Sequence, residues 1–177
     1  MSDRILDAFL RQQLKEGMAL AGNSDLVDLA PLDGPLPQRY IADFYCRGLV
    51  RTQEGEIREW NHFTVGIFFS RGYLRSVDPF HMLRWFGPPT KKDPGIFVWH
   101  PNISVKVPLI CIGRIRPGMS LTDIVHQVYE IISYQKYTPD ENDSLNRDCC
   151  SWARANADRF PIDRRPLKHR NLDLNAG

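Results

Sequence analysis

The spacing of apolar residues changes period twice along this chain of 177 residues, and that switch restricts the fold more than any single motif. Over residues 3 to 20, Ile5, Leu6, Phe9, Leu10 and Leu14 recur at helical spacing, with Arg4, Asp7, Arg11 and Lys15 opposite them. That pattern predicts an amphipathic helix. After the proline-rich break APLDGPLPQ the period falls to two. Tyr40, Ala42, Phe44, Cys46 and Val50 share one side of YIADFYCRGLV, and Asp43 and Arg47 take the other. HFTVGIFFS aligns Phe63, Val65, Ile67 and Phe69 in the same way, and FHMLRWF (80 to 86) reads as a third strand. Helical spacing returns after Ser120, a good N-cap, with Leu121, Ile124, Val125, Val128, Ile131 and Ile132 in one stripe. A last helix is predicted from about Ser144 to Phe160, with Leu145, Cys149, Trp152 and Phe160 on one face. The order is helix, antiparallel β-meander, irregular crossover and two helices, an α+β fold. Residues 1–160 form the expected domain, and 161–177 a loose, polar, basic tail.

Composition narrows the function classes. Apolar residues make up 42% and charged residues 25%, the balance of a globular chain with a proper core. A formal charge of +2 creates no whole-molecule field for nucleic acid or an anionic membrane. Arg159, Arg164, Arg165, Lys168 and Arg170 read as a solubilising cluster. No apolar run approaches the ~20 residues of a membrane helix. The charged amphipathic amino terminus is unlike a signal peptide, so the expected setting is the cytoplasm, where thiols stay reduced. The four cysteines lack CxxC spacing, and the five histidines lack HxxxH spacing. Phosphate-cradling glycine motifs and GxSxG are missing as well. No metal and no cofactor is expected.

Periodicity sorts the thiols. Cys46 falls on the strand face of Phe44, and Cys149 on the helix face of Trp152, so both read as small buried hydrophobes. Cys150 lies about 100° round the helix from Cys149 and is expected at an exposed or marginal position. Cys111 ends the apolar run VKVPLIC, ahead of the irregular GRIRPGMS. Local sequence leaves two roles open for it, a packing residue or a reachable nucleophile. Upstream, His100 precedes a proline and is held extended. Pro101-Asn102 reads as a turn.

Taken together, His100-Pro101-Asn102-Ile103, the cysteine in ICIG, and YTPDENDSLN leading into a helix that ends ARANADRF resemble the ubiquitin-conjugating enzymes. The likeness runs over roughly residues 3 to 160, with the motifs in the family's order. It implies that Cys111 accepts the carboxyl terminus of a ubiquitin-like protein from an activating enzyme as a thioester, then passes it to a lysine or another nucleophile. Asn102 would offer its amide to the oxyanion or hold the loop that frames it. Asp143 would orient an incoming lysine and help remove its proton. His100 would shape the loop, and Arg4, Arg11 and Lys15 would meet the activating enzyme. The divergence looks like that of bacterial relatives encoded beside an activating enzyme and a ubiquitin-like protein in antiviral defence operons. The alternative keeps the fold and drops the chemistry, leaving an inactive module that binds or scaffolds ubiquitin-like proteins. The cysteine comes one residue later than the family places it, which predicts a bulge or a re-registered loop after Asn102.

Overall fold

The computed structural model describes residues 3–88 and 95–167. Helix α1 (Arg4–Gly22) starts at Asp3, whose carboxylate accepts the backbone N–H groups of Ile5 and Leu6 and so satisfies two of the orphan donors at the helix start. The inward row is Leu6, Leu10, Gln13, Gly17 and Leu20. Ile5, placed on that face by its spacing, is instead 74% exposed, since it lies about 100° round the helix from Leu6, off the buried row. Gln13 belongs to the buried row for a polar reason. Its side-chain oxygen accepts the N–H of Leu121 at 2.7 Å, tying α1 to the start of a later helix.

Seven strands follow among the described residues, and the first and fourth lie where the sequence showed none. β1 (Val27–Pro31) buries only Val27 and Leu29, too short an alternation to stand out beside the prolines that follow. β4 (Ile57–Trp60) buries no residue fully, so it carries no periodic signal at all. The run read as one strand from Tyr40 is two, β2 (Arg39–Phe44) and β3 (Gly48–Arg51). β2 pairs antiparallel with β5 (Phe63–Phe68), Phe44 facing Phe63, and β3 pairs with β4, Gly48 facing Trp60. Residues 45–47 therefore face residues 61–62 across one long hairpin. The extra residue is a bulge that bends the hairpin into two sheets. FHMLRWF also divides: α2 (Pro79–Met82), capped by Asp78, leads into β6 (Leu83–Gly87). One sheet has the order β1-β2-β5-β6. The second, β4-β3-β7, is completed by β7 (Phe97–Val98), too short to show a period.

Helix α3 (Leu121–Ile132) is capped by Ser120, which accepts Asp123 N–H, and all six residues of its apolar stripe are buried. Gly48 lets its end dock closely, since a Cβ there would lie 2.7 Å from Ile132 O. α4 is shorter than the spacing suggested, Arg147–Ala155, with Asn146 as cap and a separate turn at Ala157–Arg159. Leu145 precedes this helix and is exposed, so it is not part of its buried face.

Apolar side chains gather in two clusters. The larger lies between α1, α3 and the inner face of the four-stranded sheet. It includes Phe44, Cys46, Val50, Phe63 and Val65, with Val125 and Val128 from α3. The smaller joins Leu49, Trp99, Tyr134, Cys149, Ala153 and Ile162, with Trp152 and Phe160 against it. The stretch read as a loose tail is packed as far as Leu167. Ile162 N–H bonds Ser133 O at 2.9 Å, and buried Asp163 accepts Arg47 N–H at 2.9 Å and pairs with Arg165 at 2.6 Å. Ser24 and Tyr129 hydroxyls donate to the carbonyls of Leu167 and Arg165. Lys168 and Arg170 of the basic cluster lie outside the described residues.

Candidate active site

The crossover is a tight excursion pinned at its base. Cys111 N–H donates to Asn102 O at 2.8 Å, Ile103 and Ile110 form an antiparallel bridge, and Ser104 N–H donates to Leu109 O at 3.0 Å. The pairs 102–111, 103–110 and 104–109 keep one register, so no bulge is needed beside the cysteine. At the tip, Ser104 Oγ accepts Lys106 and Val107 N–H. Ile110 and Ile112 point into the core, and Cys111 between them faces out by strand alternation.

Of the four free cysteines, Cys111 alone is exposed. Burial pushes the Cys46 and Cys149 thiols up to about 12, which leaves both as inert neutral groups. Cys150, expected at the margin, is fully buried. The turn 138–144 folds over the outer side of α4, and Cys150 Sγ meets Thr138 O at 3.3 Å. Burial raises its thiol as well.

Asn102 is buried, and its amide is fully occupied. Nδ2 donates to Cys111 O at 3.1 Å and to Thr138 Oγ1 at 2.9 Å, while Oδ1 accepts Thr138 N–H at 2.8 Å. Both amide protons are thus spent on holding the cysteine backbone to the turn after α3. In this arrangement the Asn102 amide has no proton free for a further acceptor. His100 sits behind it, buried, its ring 4.4 Å from that of Tyr134. His100 Nδ1 accepts Asn102 N–H at 3.0 Å, which puts the proton of the neutral ring on Nε2. Burial drives the imidazole down to about 3, with the Lys136 backbone opposing weakly. His100 is therefore neutral at physiological pH and braces the turn.

Asp143 is exposed, on a turn closed by its own N–H to Asp140 O at 3.3 Å. That turn is docked on the tripeptide, because Leu145 and Asn146 N–H both donate to Pro101 O at 2.9 and 3.1 Å. Arg4, Arg11 and Lys15 are all exposed on α1 and lie apart from the crossover in sequence and element. Sequence reasoning missed Thr138, Tyr134 and Lys136. Tyr134 donates its hydroxyl to Trp99 O. Lys136 Nζ donates to Ile112 O at 3.1 Å, just before Gly113, whose φ of +94 favours a residue without a side chain. None of these three shows a local pattern. Among the described residues no group of three or more His, Cys, Asp or Glu is placed to hold a metal, and no helix is long and apolar enough to cross a membrane.

Among solved structures, the chain is similar to the E2 domain of a Toxoplasma gondii ubiquitin conjugating enzyme. The two are 19% identical, the match covers 84% of this chain and 89% of that one, and the TM-score is 0.49. No family model and no curated protein matches the chain.

Proposed function

We propose that the protein is a conjugating enzyme that carries a ubiquitin-like protein as a thioester on Cys111 and transfers it to a lysine or another nucleophile. The observation that carries this reading is the arrangement around the thiol. One exposed cysteine sits on a backbone clamped by a buried His-Pro-Asn turn, while the other three thiols are buried. A thioester carrier needs an accessible sulfur on a fixed support. An inactive binding module of the same fold needs neither, so the exposed Cys111 favours the catalytic reading.

In this reading Asn102 and His100 act by holding the loop. Asp143, on the turn docked to Pro101, meets the incoming nucleophile and accepts its proton. The exposed Arg4, Arg11 and Lys15 on α1 form the contact with the activating enzyme, and the protein works in the cytoplasm. Membership of an antiviral defence operon is tested by the genes flanking this one: an activating-enzyme gene and a ubiquitin-like-protein gene should stand beside it.

The biochemical test mixes the protein with its activating enzyme, ubiquitin-like protein and ATP, followed by gels with and without reductant. A reductant-sensitive adduct that disappears in Cys111→Ala is expected. An adduct that survives Cys111→Ala and is lost in Cys150→Ala would overturn the assignment. Binding of the ubiquitin-like protein without any adduct would favour the inactive module.

A further inference from the structure

Beside the tripeptide, β3, β7, the crossover tip and the start of α4 enclose a cavity of about 320 Å³, lined by Arg51, Phe97, Trp99, Val105, Asn146 and Asp148. Arg51 ends β3 and faces Phe97 across the strand pair. Trp99 and Asn146 form the deepest wall, 5% and 7% exposed. The Trp99 Nε1 and Asn146 Nδ2 donors are both buried and have no hydrogen-bond partner among the described residues. Neither residue is free to rearrange. Trp99 N–H donates to Leu49 O at 2.8 Å. Asn146 Oδ1 accepts Cys149 N–H at 3.2 Å, so turning the amide round would lose the cap of α4. A buried donor without an acceptor is costly, and two at one cavity call for a ligand that brings acceptors. The Arg51 guanidinium, stacked over the Trp99 ring at 4.9 Å, adds further donors and a positive charge. Asp148 is the one acid in the lining.

We propose that this cavity binds a small carboxylate with an apolar body, supplied either as a free acid or as the carboxyl-terminal residue of a peptide. The carboxylate oxygens accept the N–H groups of Trp99 and Asn146 and pair with Arg51, whose planar fork of donors matches a carboxylate. The apolar body lies against Phe97 and Val105, which are 45% and 44% exposed. Exposed side chains change rotamer rapidly, so these two turn aside as the ligand enters. An ammonium ligand would answer Asp148 but leave both buried donors unpaired. The volume lies at the small end of ligand cavities, which limits the body to about one side chain. Cys111 is not part of the lining, and the site does not depend on the thioester reading.

Proton–nitrogen NMR of the full chain reads the Trp99 donor directly, because each indole N–H gives its own peak and Trp99→Phe identifies the one that is lost. The probes are N-acetyl-leucine, isocaproate and the uncharged N-acetyl-leucinamide. With N-acetyl-leucine the Trp99 indole peak is expected to move downfield and saturate while the other indole peaks stay in place. The amide should bind about tenfold more weakly, since its hydrogen bonds lack the charge. Isocaproate binding as well as N-acetyl-leucine assigns the site to free acids, and selectivity for N-acetyl-leucine assigns it to a peptide carboxyl terminus. Arg51→Gln should weaken either acid about tenfold, and Asp148→Asn should tighten the acids severalfold without changing the amide. A Trp99 peak that stays put with both acids would overturn the inference. So would an amide that binds as tightly as the acid, or full affinity for the acids in Arg51→Gln.

Discussion

The two apolar clusters are built differently. The large one is assembled from residues at regular periods on α1, α3, β2 and β5. The small one, under the crossover, takes Trp99 from a loop, Tyr134 from the residue after the α3 cap, Ile162 beyond α4, and Leu49 from the strand after the bulge. Its rings interlock, with Tyr134 stacked on Phe160 at 4.4 Å and Trp99 edge-on to Trp152 at 6.3 Å. Aromatic residues combine a large buried area with a polar tip, and here the Tyr134 hydroxyl reaches the Trp99 carbonyl just ahead of His100. One cluster therefore holds the shape of the molecule, and the other holds the turn on which Cys111 depends. The largest expected effect tests the first role. Phe63 is fully buried, and Phe63→Ala should cost ~3–5 kcal/mol of global stability, read as a lowered urea midpoint. In conditions where this variant remains folded, alkylation of Cys111 should proceed at the wild-type rate. A changed rate would show that the two clusters are one unit.

The second role is probed at Asn102. Asn102→Ala leaves the N–H of Thr138 without its acceptor and releases Cys111 O. Losing partners of buried groups costs about 1–3 kcal/mol. The damage should be local, appearing as faster hydrogen exchange over residues 102–112 and 136–146 while the strands of the large cluster stay protected. Asn102→Asp sharpens the point, because it keeps an acceptor for Thr138 N–H and removes both donated bonds. If the variant with Asp behaves as wild type in exchange, the bond to Cys111 O contributes nothing to holding the loop.

This difference also explains what could be read from the sequence. α1, α3 and the inward residues of β2 and β5 were legible because each repeats one apolar period over ten or more residues or meets a partner strand of the same pattern. β4 has no fully buried residue, and the bulge at 45–47 preserves the inward parity of Cys46 and Val50, so the switch between sheets leaves no mark on the pattern. Around the site, the tripeptide and Cys111 were recognisable by their order along the chain. Their supports were not: Thr138 binds Asn102 across 36 positions, and Lys136 reaches Ile112 across 24. Cys150 was misplaced for the same reason, because helical angle places a residue on a helix but says nothing about a turn folding over it. Side chains that act through long-range contacts to backbone carry no periodic signature.

Acid separates the two regions without mutating either core. In the folded chain His100 is held down to about 3 by burial, whereas an unfolded histidine takes up a proton near ~6.5. Below that value the unfolded state binds a proton that the native state refuses, so stability falls as pH drops from ~6.5 towards 3. Between pH 7 and pH 5 the loss should be ~2 kcal/mol, measured by urea unfolding at the two pH values. Asp163 behaves differently. Burial alone would raise its carboxyl, but hydrogen bonds from the Arg165 side chain and from the backbone of Arg47 and Arg165 hold it at about 2. Its contribution is complete above ~3.8 and is lost only as pH falls from there towards 2, so it is silent between 7 and 5. His100→Gln should flatten the slope over that interval, whatever it does to stability at pH 7. The same slope in His100→Gln as in wild type would mean that the ring under the tripeptide is open to solvent protons, and the small cluster would not be the sealed support that its burial describes.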